Sequence, residues 1–441
     1  MRKKIDINFL ISTTASYLPK KFVFGESYRR AMKINDEFLK TSNKNKYIEE
    51  YTYKILKKTY QNAKKCVFYE NYDFNSPHTD LPFIDKDIVI KSKESIITSK
   101  KNADLMTTGG TSGKPLSFYI DKSRKGWEWF WMTSGWEKSG YSKEISWRAV
   151  LRNHILGENN IEVDPLLRQV CFSNFNLTKQ YLLKITEYIE KNKIQFIHAY
   201  PSAAFILSKF WLESSKKPEN VKAFLCGSEN ILIPQKTLIQ EQLGLRMFTF
   251  YGHSEKLILA HEGIKCENYH SNPFYGHVEI INSFGRPVKT PGEFGELVGT
   301  GYINTKTPFI RYKTGDYAEF VGITCPDCGH IGLTFKNVRG RWNGDKIYLS
   351  DGTTVTTTAL NLHDSIYSKI NGIQYHQNHI GHLSIHIVPG YRWNESAKKQ
   401  LIDNFNKKLS GKMIISVKEV DELELSMNRK FQLLIQNISK P

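Results

Sequence analysis

The sequence predicts an α/β protein in two parts. We expect a large multi-layer N-terminal domain at residues 1–340, with a β-rich subdomain around 262–338, and a small α+β C-terminal domain at 341–441. Strand-like runs alternate with helical patterns as far as Gly227, and short strands separated by Gly/Pro turns follow from Gly276. The length of 441 residues also exceeds what one compact core usually holds.

Apolar periodicity and turn residues place the elements of the α/β part. Few helix breakers interrupt the first segment, and a Tyr-Pro-Ser turn precedes the third helix. The predicted helices are at 25–70, 179–191 and 203–212, and the predicted strands are around 106–120 and at 147–152, 195–198 and 221–226.

The pattern changes from Gly276 onward, where strands become short and turns frequent. Strands are predicted at 277–281, 295–300 and 309–312, a hinge at 338–344, further strands at 347–349, 384–388 and 413–417, and a helix at 395–408.

Composition narrows the class of protein. Hydrophobic residues at 40% and aromatic residues at 13% are typical of a globular chain, and no apolar run approaches the ~18 residues of a membrane span. We therefore expect a cytoplasmic protein. The net charge of +18 comes from lysines spread along the chain, so it indicates a solvated surface and permits weak adhesion to an anionic membrane face. Without zinc-finger spacing or an RNP-type motif, no specific nucleic-acid partner is expected.

The stretch Met106–Leu116, MTTGGTSGKPL, has the composition of a phosphate-binding loop, because Gly permits close backbone approach and Lys supplies charge. It is not a P-loop, since Thr108 stands at the first Gly position and Pro115 follows Lys114. It is not a dinucleotide loop either, since residues 115–120 alternate like a strand. A plain Gly/Ser turn is the other interpretation.

Three further stretches suit nucleotide chemistry. In FYGHSE at 250–255, an aromatic ring can stack on a base, a Gly bends the chain, and a hydroxyl–Glu pair can place a carboxylate on Mg²⁺. In IRYKTGD at 310–316, the final Asp can accept hydrogen bonds from a ribose diol. The third, GRWN at 340–343, is followed far downstream by SMNRKF at 426–431. Each is weak alone, but their order and spacing make the combination specific.

These motifs, in this order, resemble the adenylate-forming ligase superfamily, specifically its phenylacetate–CoA ligase and CapK-like branch. The resemblance runs from LPFIDK at 81–86 to the C-terminus and includes TTGGTSGKP, HAYPS, CGSEN, YGHSE and RYKTGD. It implies an adenylate-forming N-terminal domain, a mobile C-terminal domain, and ATP, Mg²⁺ and a small-molecule carboxylate as ligands.

The resemblance also assigns roles to the residues that match its motifs, with Lys114, Glu255 and Lys430 as the expected catalytic residues. The phosphate loop would be Thr108, Gly109, Gly110, Thr111, Ser112, Gly113 and Lys114; the adenine side Gly227, Ser228, Glu229, Tyr251 and Gly252; the Mg²⁺ and ribose side Ser254, Glu255 and Asp316; and the hinge side Arg341.

The chain departs from the family pattern at three places. Asn230 replaces a common Pro, and Asn343 stands where an acidic residue is common. SMNRKF also lacks the usual Ser-Gly-Lys form, so a solvated lysine beside Arg429 is the alternative interpretation of Lys430.

A metal site is predicted from cysteine spacing. CPDCG at 325–329 lets two thiolates share one tetrahedral ion, and a Cys and a His upstream can complete the set, with His261 and His330 as substitutes for the latter. The resemblance implies structural zinc on Cys266, His270, Cys325 and Cys328. A redox C-x-x-C is the competing interpretation, although no thioredoxin-like pattern surrounds it. Cys66, Cys171 and Cys226 look like buried apolar thiols.

The resemblance implies a two-step reaction in which a carboxylate attacks the α-phosphorus of ATP and an acceptor then takes the acyl group and releases AMP. CoA is the first candidate acceptor, and an amine or hydroxyl on a sugar is the alternative, since CapK-like proteins are associated with surface-polysaccharide assembly. A non-catalytic ATP-binding scaffold and a zinc-containing nucleic-acid binder stay open as other classes. The aromatic run at 127–131 with Trp136 either floors an acid pocket or forms a buried helix face.

Overall fold

The computed structural model describes residues 7–108, 116–152, 156, 161–173, 177–340, 346–352, 354–356, 366, 369–409, 411–425 and 431–438, without the side chains at 7–11, 93, 107–108, 346 and 354–356. The chain forms two compact units. Unit 1 comprises Met1–Asn230 and Lys236–Val338, and unit 2 comprises Ile231–Gln235 and Arg339–Pro441. Within the described residues, no helix is both long and apolar enough to cross a membrane.

Polar side chains cap the first turns of two helices of unit 1. The Asn43 side chain accepts a hydrogen bond from the Lys46 backbone N–H, and Thr178 caps a later helix in the same way through Tyr181. The helices are α1 Ile7–Ser16, α2 Lys20–Val23, α3 Gly25–Lys40, α4 Lys44–Ala63, α5 Lys86–Ser92, α6 Arg124–Trp136, α7 Lys179–Lys191, α8 Pro201–Ser214 and α9 Ile233–Lys236. The helices predicted at 179–191 and 203–212 are thus confirmed as α7 and α8. The helical prediction for 25–70 is confirmed by α3 and α4 only as far as Ala63, after which Val67–Tyr69 forms a short 3-10 turn.

One twelve-stranded sheet and one hairpin organise unit 1. The strands are β1 Ala103–Thr108, β2 Leu116–Asp121, β3 Arg148–Arg152, β4 Ile161–Asp164, β5 Gln169–Ser173, β6 Phe196–Ala199, β7 Ala223–Cys226, β8 Arg246–Gly252, β9 Leu259–His261, β10 Tyr269–Ser271, β11 Gly276–Ile281, β12 Phe294–Gly301, β13 Tyr312–Thr324 and β14 Ile331–Gly340.

The large sheet has the order β11-β12-β13-β14-β10-β9-β8-β7-β6-β3-β5-β4. Strands β8, β7, β6, β3 and β5 are parallel to one another, whereas β9 pairs with β8 and β4 pairs with β5 in the antiparallel sense. The β-rich segment therefore continues the parallel part through the β8–β9 pair. This arrangement brings its strands directly beside the carboxyl end of β8.

The hairpin β1–β2 is separate from the large sheet. Its last pair is Thr108 with Leu116, so the glycine-rich stretch joins two antiparallel strands. This agrees with the strand predicted after the loop. Residues 109–115 themselves lie outside the described part of the chain.

The aromatic run of α6 packs into the core. Trp127 and Trp131 are 7% and 3% exposed and lie in one cluster with Tyr28 of α3 and Phe274. Trp131 stacks on Phe274 with ring centroids 5.5 Å apart. Of the two interpretations of this run, the buried helix face is the one that the structure supports.

The strand predicted at 309–312 is wrong for its first three residues, because β13 begins only at Tyr312. Arg311 has a left-handed φ of 49° and a buried side chain. Its guanidinium donates to both carboxylate oxygens of Glu279 and to the carbonyls of Thr79 and Leu81. These contacts hold the bend that ends the extended backbone there.

Unit 2 is a four-stranded sheet with one helix on its face, beside a short hairpin. Its elements are β15 Lys346–Tyr348, β16 Thr354–Thr356, β17 Ile370–Gln377, β18 His382–Pro389, α10 Glu395–Lys408, β19 Ile414–Glu419 and β20 Leu434–Gln436. Helix α10 buries Ala397, Leu401 and Phe405 against Tyr375 and Ile385. This matches the helix predicted at 395–408 and the α+β composition expected of the C-terminal part.

Candidate active site and metal centre

Two of the predicted motifs meet at the carboxyl end of β8. Tyr251 is the penultimate residue of that strand, and its hydroxyl donates a 2.7 Å hydrogen bond to Oδ2 of Asp316 on β13. Burial, followed by the charge of Asp316, raises the pKa of Tyr251 well above its ordinary value, so the phenol stays protonated and keeps donating. The predicted base-stacking ring and the predicted ribose-binding carboxylate are therefore neighbours.

Glu255 forms the second link between the same two motifs. His253 Nδ1 lies 2.9 Å from Glu255 Oε2, and the Tyr312 hydroxyl donates to Glu255 Oε1 at 3.2 Å. Burial alone would raise the pKa of Glu255, but the hydrogen bond and charge of His253, with hydrogen bonds from backbone and Tyr312, outweigh it and lower the pKa to about 2. Glu255 is therefore ionised at neutral pH, as a cation ligand must be. Ser254 lies beside it in the same turn.

The segment after β7 lies one strand away from β8 in the sheet. Gly227 packs so tightly that a Cβ there would come within 2.9 Å of the Phe250 ring, which explains why a glycine is needed. Ser228 has a left-handed φ of 72°, and its hydroxyl accepts a 2.8 Å hydrogen bond from Arg152. Glu229 accepts hydrogen bonds from the backbone N–H and the hydroxyl of Ser202, both at 3.0 Å, at the start of α8.

Several predicted site residues cannot be placed. Gly109, Gly110, Thr111, Ser112, Gly113, Lys114, Arg341 and Lys430 lie outside the described residues. Thr108 is described by its backbone at the end of β1, and Gly252 ends β8.

Sequence reasoning missed four partners of the predicted residues: Arg152, Ser202, His253 and Tyr312. Three of them stand inside the quoted motifs HAYPS, YGHSE and RYKTGD, so a closer look at the remaining polar side chains of each motif could have found them. Arg152 carries no such signal, because it is simply the last residue of a predicted strand.

The four predicted metal ligands form one cluster. The ligand atoms of Cys266, His270, Cys325 and Cys328 all lie within 4.8 Å of one another. Cys266 Sγ is 3.6 Å from Cys325 Sγ and 3.7 Å from His270 Nε2, and Cys328 Sγ is 3.3 Å from His270 Nε2. Tetrahedral bonds of about 2.3 Å to sulfur and about 2.0 Å to nitrogen place ligand atoms at roughly these separations. The donor set and its geometry therefore fit zinc.

The local backbone explains how the cluster is held. Between β13 and β14, the Gly329 N–H donates to the Cys325 carbonyl at 2.9 Å, closing a tight turn in which Gly329 has a φ of +70°. His330 stacks on the His270 ring at 4.4 Å between centroids, and the cluster itself contains neither His330 nor His261. The remaining cysteines, Cys66, Cys171 and Cys226, are buried, as predicted.

Comparison with known proteins bears on the fold and on distant sequence similarity. No family model matches the chain. The sequence is 24% identical over 382 residues to Protein CapK of Staphylococcus aureus, covering 83% of this chain and 80% of that protein.

Solved structures show the same fold at low sequence identity. A 2-hydroxyisobutyryl-CoA ligase in its postadenylation state, in complex with R3-HIB-AMP, matches with a TM-score of 0.65 and 14% identity over 89% of both chains. The same ligase with 2-HIB-AMP gives a TM-score of 0.64 at 13% identity over 87% of this chain and 88% of that one. An anthranilate CoA ligase with anthranoyl-AMP gives a TM-score of 0.52 at 13% identity, over 76% of this chain and 66% of that one. The chain thus has the α/β fold of the adenylate-forming CoA ligases and a weak sequence similarity to CapK, which confirms the resemblance at these two levels.

Proposed function

We propose that this protein is an AMP-forming carboxylate ligase that converts a carboxylic acid and ATP to an acyl-adenylate and then transfers the acyl group to an acceptor. One observation supports this most strongly. Tyr251 with Asp316 and Glu255 with Tyr312 join the two motifs into one corner, on a fold shared with ligases that hold acyl-AMP.

Each residue of that corner has a role in the first half-reaction. Asp316 accepts a hydrogen bond from Tyr251 at one oxygen, and its carboxylate would accept the ribose hydroxyls. Glu255, ionised by its surroundings, is the ligand for Mg²⁺, which would neutralise phosphate charge when bound. A carboxylate oxygen of the substrate forms the new bond to the α-phosphorus while the bond to pyrophosphate breaks. No general base is needed, because carboxylic acids are already ionised at neutral pH.

The cationic groups of the site come from the glycine-rich loop and the C-terminal part of the chain. Lys114 would accompany the β- and γ-phosphates, Arg341 would approach the nucleotide from the hinge side, and Lys430 would stabilise the negative charge that develops at the α-phosphate. A lysine on a mobile domain can also leave, which frees the adenylate for the acceptor. CoA is the proposed acceptor. The similarity to CapK keeps an amino sugar as the alternative that experiment must separate.

Cys266, His270, Cys325 and Cys328 hold a structural zinc ion in this proposal. Four protein ligands fill a tetrahedral shell, so the ion would pin the β13–β14 turn to the segment before β10. None of these ligands belongs to the Tyr251–Asp316 corner, so the ion would act through the fold and not on the reacting groups.

ATP–pyrophosphate exchange across a library of carboxylic acids tests the proposal. We expect exchange that depends on one acid and that falls at least about 100-fold in Asp316→Ala and in Lys430→Ala. Matched controls are Asp403→Ala and Lys407→Ala, which remove exposed groups of the same charge on α10. Adding CoA or an amino-sugar nucleotide then identifies the acceptor by AMP release.

Two outcomes contradict the proposal. ATP binding without exchange for any acid would make the protein a nucleotide-binding scaffold. Exchange that survives in both Asp316→Ala and Lys430→Ala would remove these residues from the site.

A further inference from the structure

Arg152 stands out among the side chains near the proposed site. It is the last residue of β3, and its guanidinium spans three neighbouring strand ends. Nη1 lies 2.9 Å from Nε2 of His198 on β6, and Nη2 donates to the Ser228 hydroxyl after β7 at 2.8 Å. The guanidinium carbon also lies 4.7 Å from the centre of the Tyr200 ring.

All of these partners are uncharged. A guanidinium has only donors, so His198 Nε2 must be the unprotonated ring nitrogen. Among the described residues, no carboxylate lies within ion-pair distance of Arg152, whereas Arg124 pairs with Asp104 and Arg311 with Glu279. Glu229, the residue after Ser228, directs both oxygens to Ser202 instead.

A half-buried positive charge without a counter-ion is unfavourable unless a ligand supplies one. The guanidinium has five N–H donors and spends two of them on His198 and Ser228, so donors remain for an anion. The left-handed backbone of Ser228, which carries the hydroxyl toward Arg152, is the kind of strain that accumulates at functional sites.

The position of Arg152 in the sheet indicates which ligand would carry that anion. Open α/β sheets bind ligands outside the carboxyl ends of their parallel strands. Strand β3 is three strands from β8, or about 14 Å at the usual spacing of about 4.8 Å, so Arg152 starts well to one side of the Tyr251–Asp316 corner. Its contacts on β6 and after β7 bring the guanidinium from β3 toward that corner, so an acid joined to a nucleotide there would extend its far end toward Arg152.

We propose that Arg152 is a specificity-determining residue that binds a second anionic group, carboxylate or phosphate, on the acid that the enzyme activates. This inference rests on the proposed function and names its substrate class: a dicarboxylic or phosphorylated carboxylic acid. The reactive carboxylate goes to the α-phosphorus, and the remote anion pairs with the guanidinium fork.

The test compares acids that differ only in the remote group: n-alkanoates with α,ω-dicarboxylates of the same carbon number, and glycerate with 3-phosphoglycerate. In ATP–pyrophosphate exchange we expect the wild type to prefer the member with the remote anion about 10- to 100-fold in kcat/KM, a usual range for a charge-assisted hydrogen bond. Arg152→Leu should reduce that preference to near one, and Arg152→Lys should give an intermediate value because it keeps charge but loses the fork. The two pairs of acids separate carboxylate from phosphate.

Control measurements keep the inference distinct from the proposed function. Arg392→Leu removes an exposed arginine of unit 2 and should leave the preference unchanged. Calorimetric titration of the same acids into the wild type and Arg152→Leu reads anion binding without turnover, so it decides the inference even if exchange is absent. A wild type that favours the monoanionic acids, an equal loss for both acids in Arg152→Leu, or a rise in the KM for ATP alone would overturn it.

Discussion

Glu255 and Glu262 lie on either side of β9 in the chain, yet their environments shift their pKa values in opposite directions. Their side chains are 12% and 3% exposed. The pKa of Glu255 is lowered to about 2, whereas burial, only partly offset by Lys236 and by hydrogen bonds from Thr249, raises the pKa of Glu262 to about 7.

The difference comes from the partners. His253 contacts Glu255 directly at 2.9 Å, but the Lys236 ammonium stays 3.8 Å from Glu262. Thr249 gives Glu262 two neutral hydrogen bonds, from its N–H at 3.0 Å and its hydroxyl at 2.5 Å. The close contact with His253 thus keeps Glu255 ionised and available to a cation, while a more distant ammonium, neutral hydrogen bonds and deeper burial make Glu262 a structural group.

The largest effect is expected from breaking the metal cluster that follows Glu262 in the chain. Cys325→Ser should lose the zinc ion and destabilise the protein by about 5 kcal/mol or more, because metal-binding free energy is folding free energy at such sites. Cys171→Ala, which removes a buried thiol on β5, should cost only about 1–2 kcal/mol. Zinc content by atomic absorption and thermal unfolding check both. A wild type that binds no zinc, or equal losses in the two variants, would refute the metal assignment.

The same substitution at the two carboxylates separates their roles most directly. Glu255→Gln should lower acid-dependent exchange about 100- to 1000-fold and weaken the apparent Mg²⁺ affinity, because the cation ligand is lost. Glu262→Gln should stay within about threefold of the wild type, since its side chain bonds only within the fold. Steady-state exchange at varied Mg²⁺ measures both. Similar losses of exchange in the two variants would show that Glu255 has no special role as a cation ligand.

A smaller effect concerns stability against pH. The folded pKa of Glu262, about 7, lies above its ordinary value of 4.5, so its contribution is fully present below about pH 4.5 and is lost as the pH rises through 7. Relative to Glu262→Gln, the wild type should lose about 2 kcal/mol between about pH 5 and pH 8. Urea unfolding at both pH values gives the difference. Parallel stability profiles for the two proteins would show that Glu262 is ionised throughout.

Much of this architecture could be predicted because its signals are local. Helices α7 and α10 show their apolar periodicity directly, and the order of YGHSE and RYKTGD predicted that Tyr251 and Asp316 share a site. The C-x-x-C spacing likewise predicted a metal knuckle, and the structure adds the distances that fit zinc.

The rest depended on contacts between segments far apart in sequence. The bend at Arg311 is set by Glu279, Thr79 and Leu81, which no local pattern around 309–312 reveals. In the sequence, Arg152 is an ordinary strand residue, because its contacts come from β6 and from the segment after β7, which are distant in the chain. The raised pKa of Glu262 depends on how deeply its carboxylate is buried, which only the three-dimensional structure shows.

The β13–β14 hairpin links its turn, which carries Cys325 and Cys328, to Asp316 on β13. β13 starts with Tyr312, passes through Asp316 and ends just before Cys325, so one strand connects the Tyr251–Asp316 corner to the proposed metal ligands. Side chains alternate along a strand, and a slip of one residue in its pairing would turn Asp316 to the opposite face of the sheet. An ion clamped at the tip would fix the alignment of the two strands. Zinc bound at the tip would thereby support, from the far end of the hairpin, the register that the β12–β13 pairing also sets around Asp316.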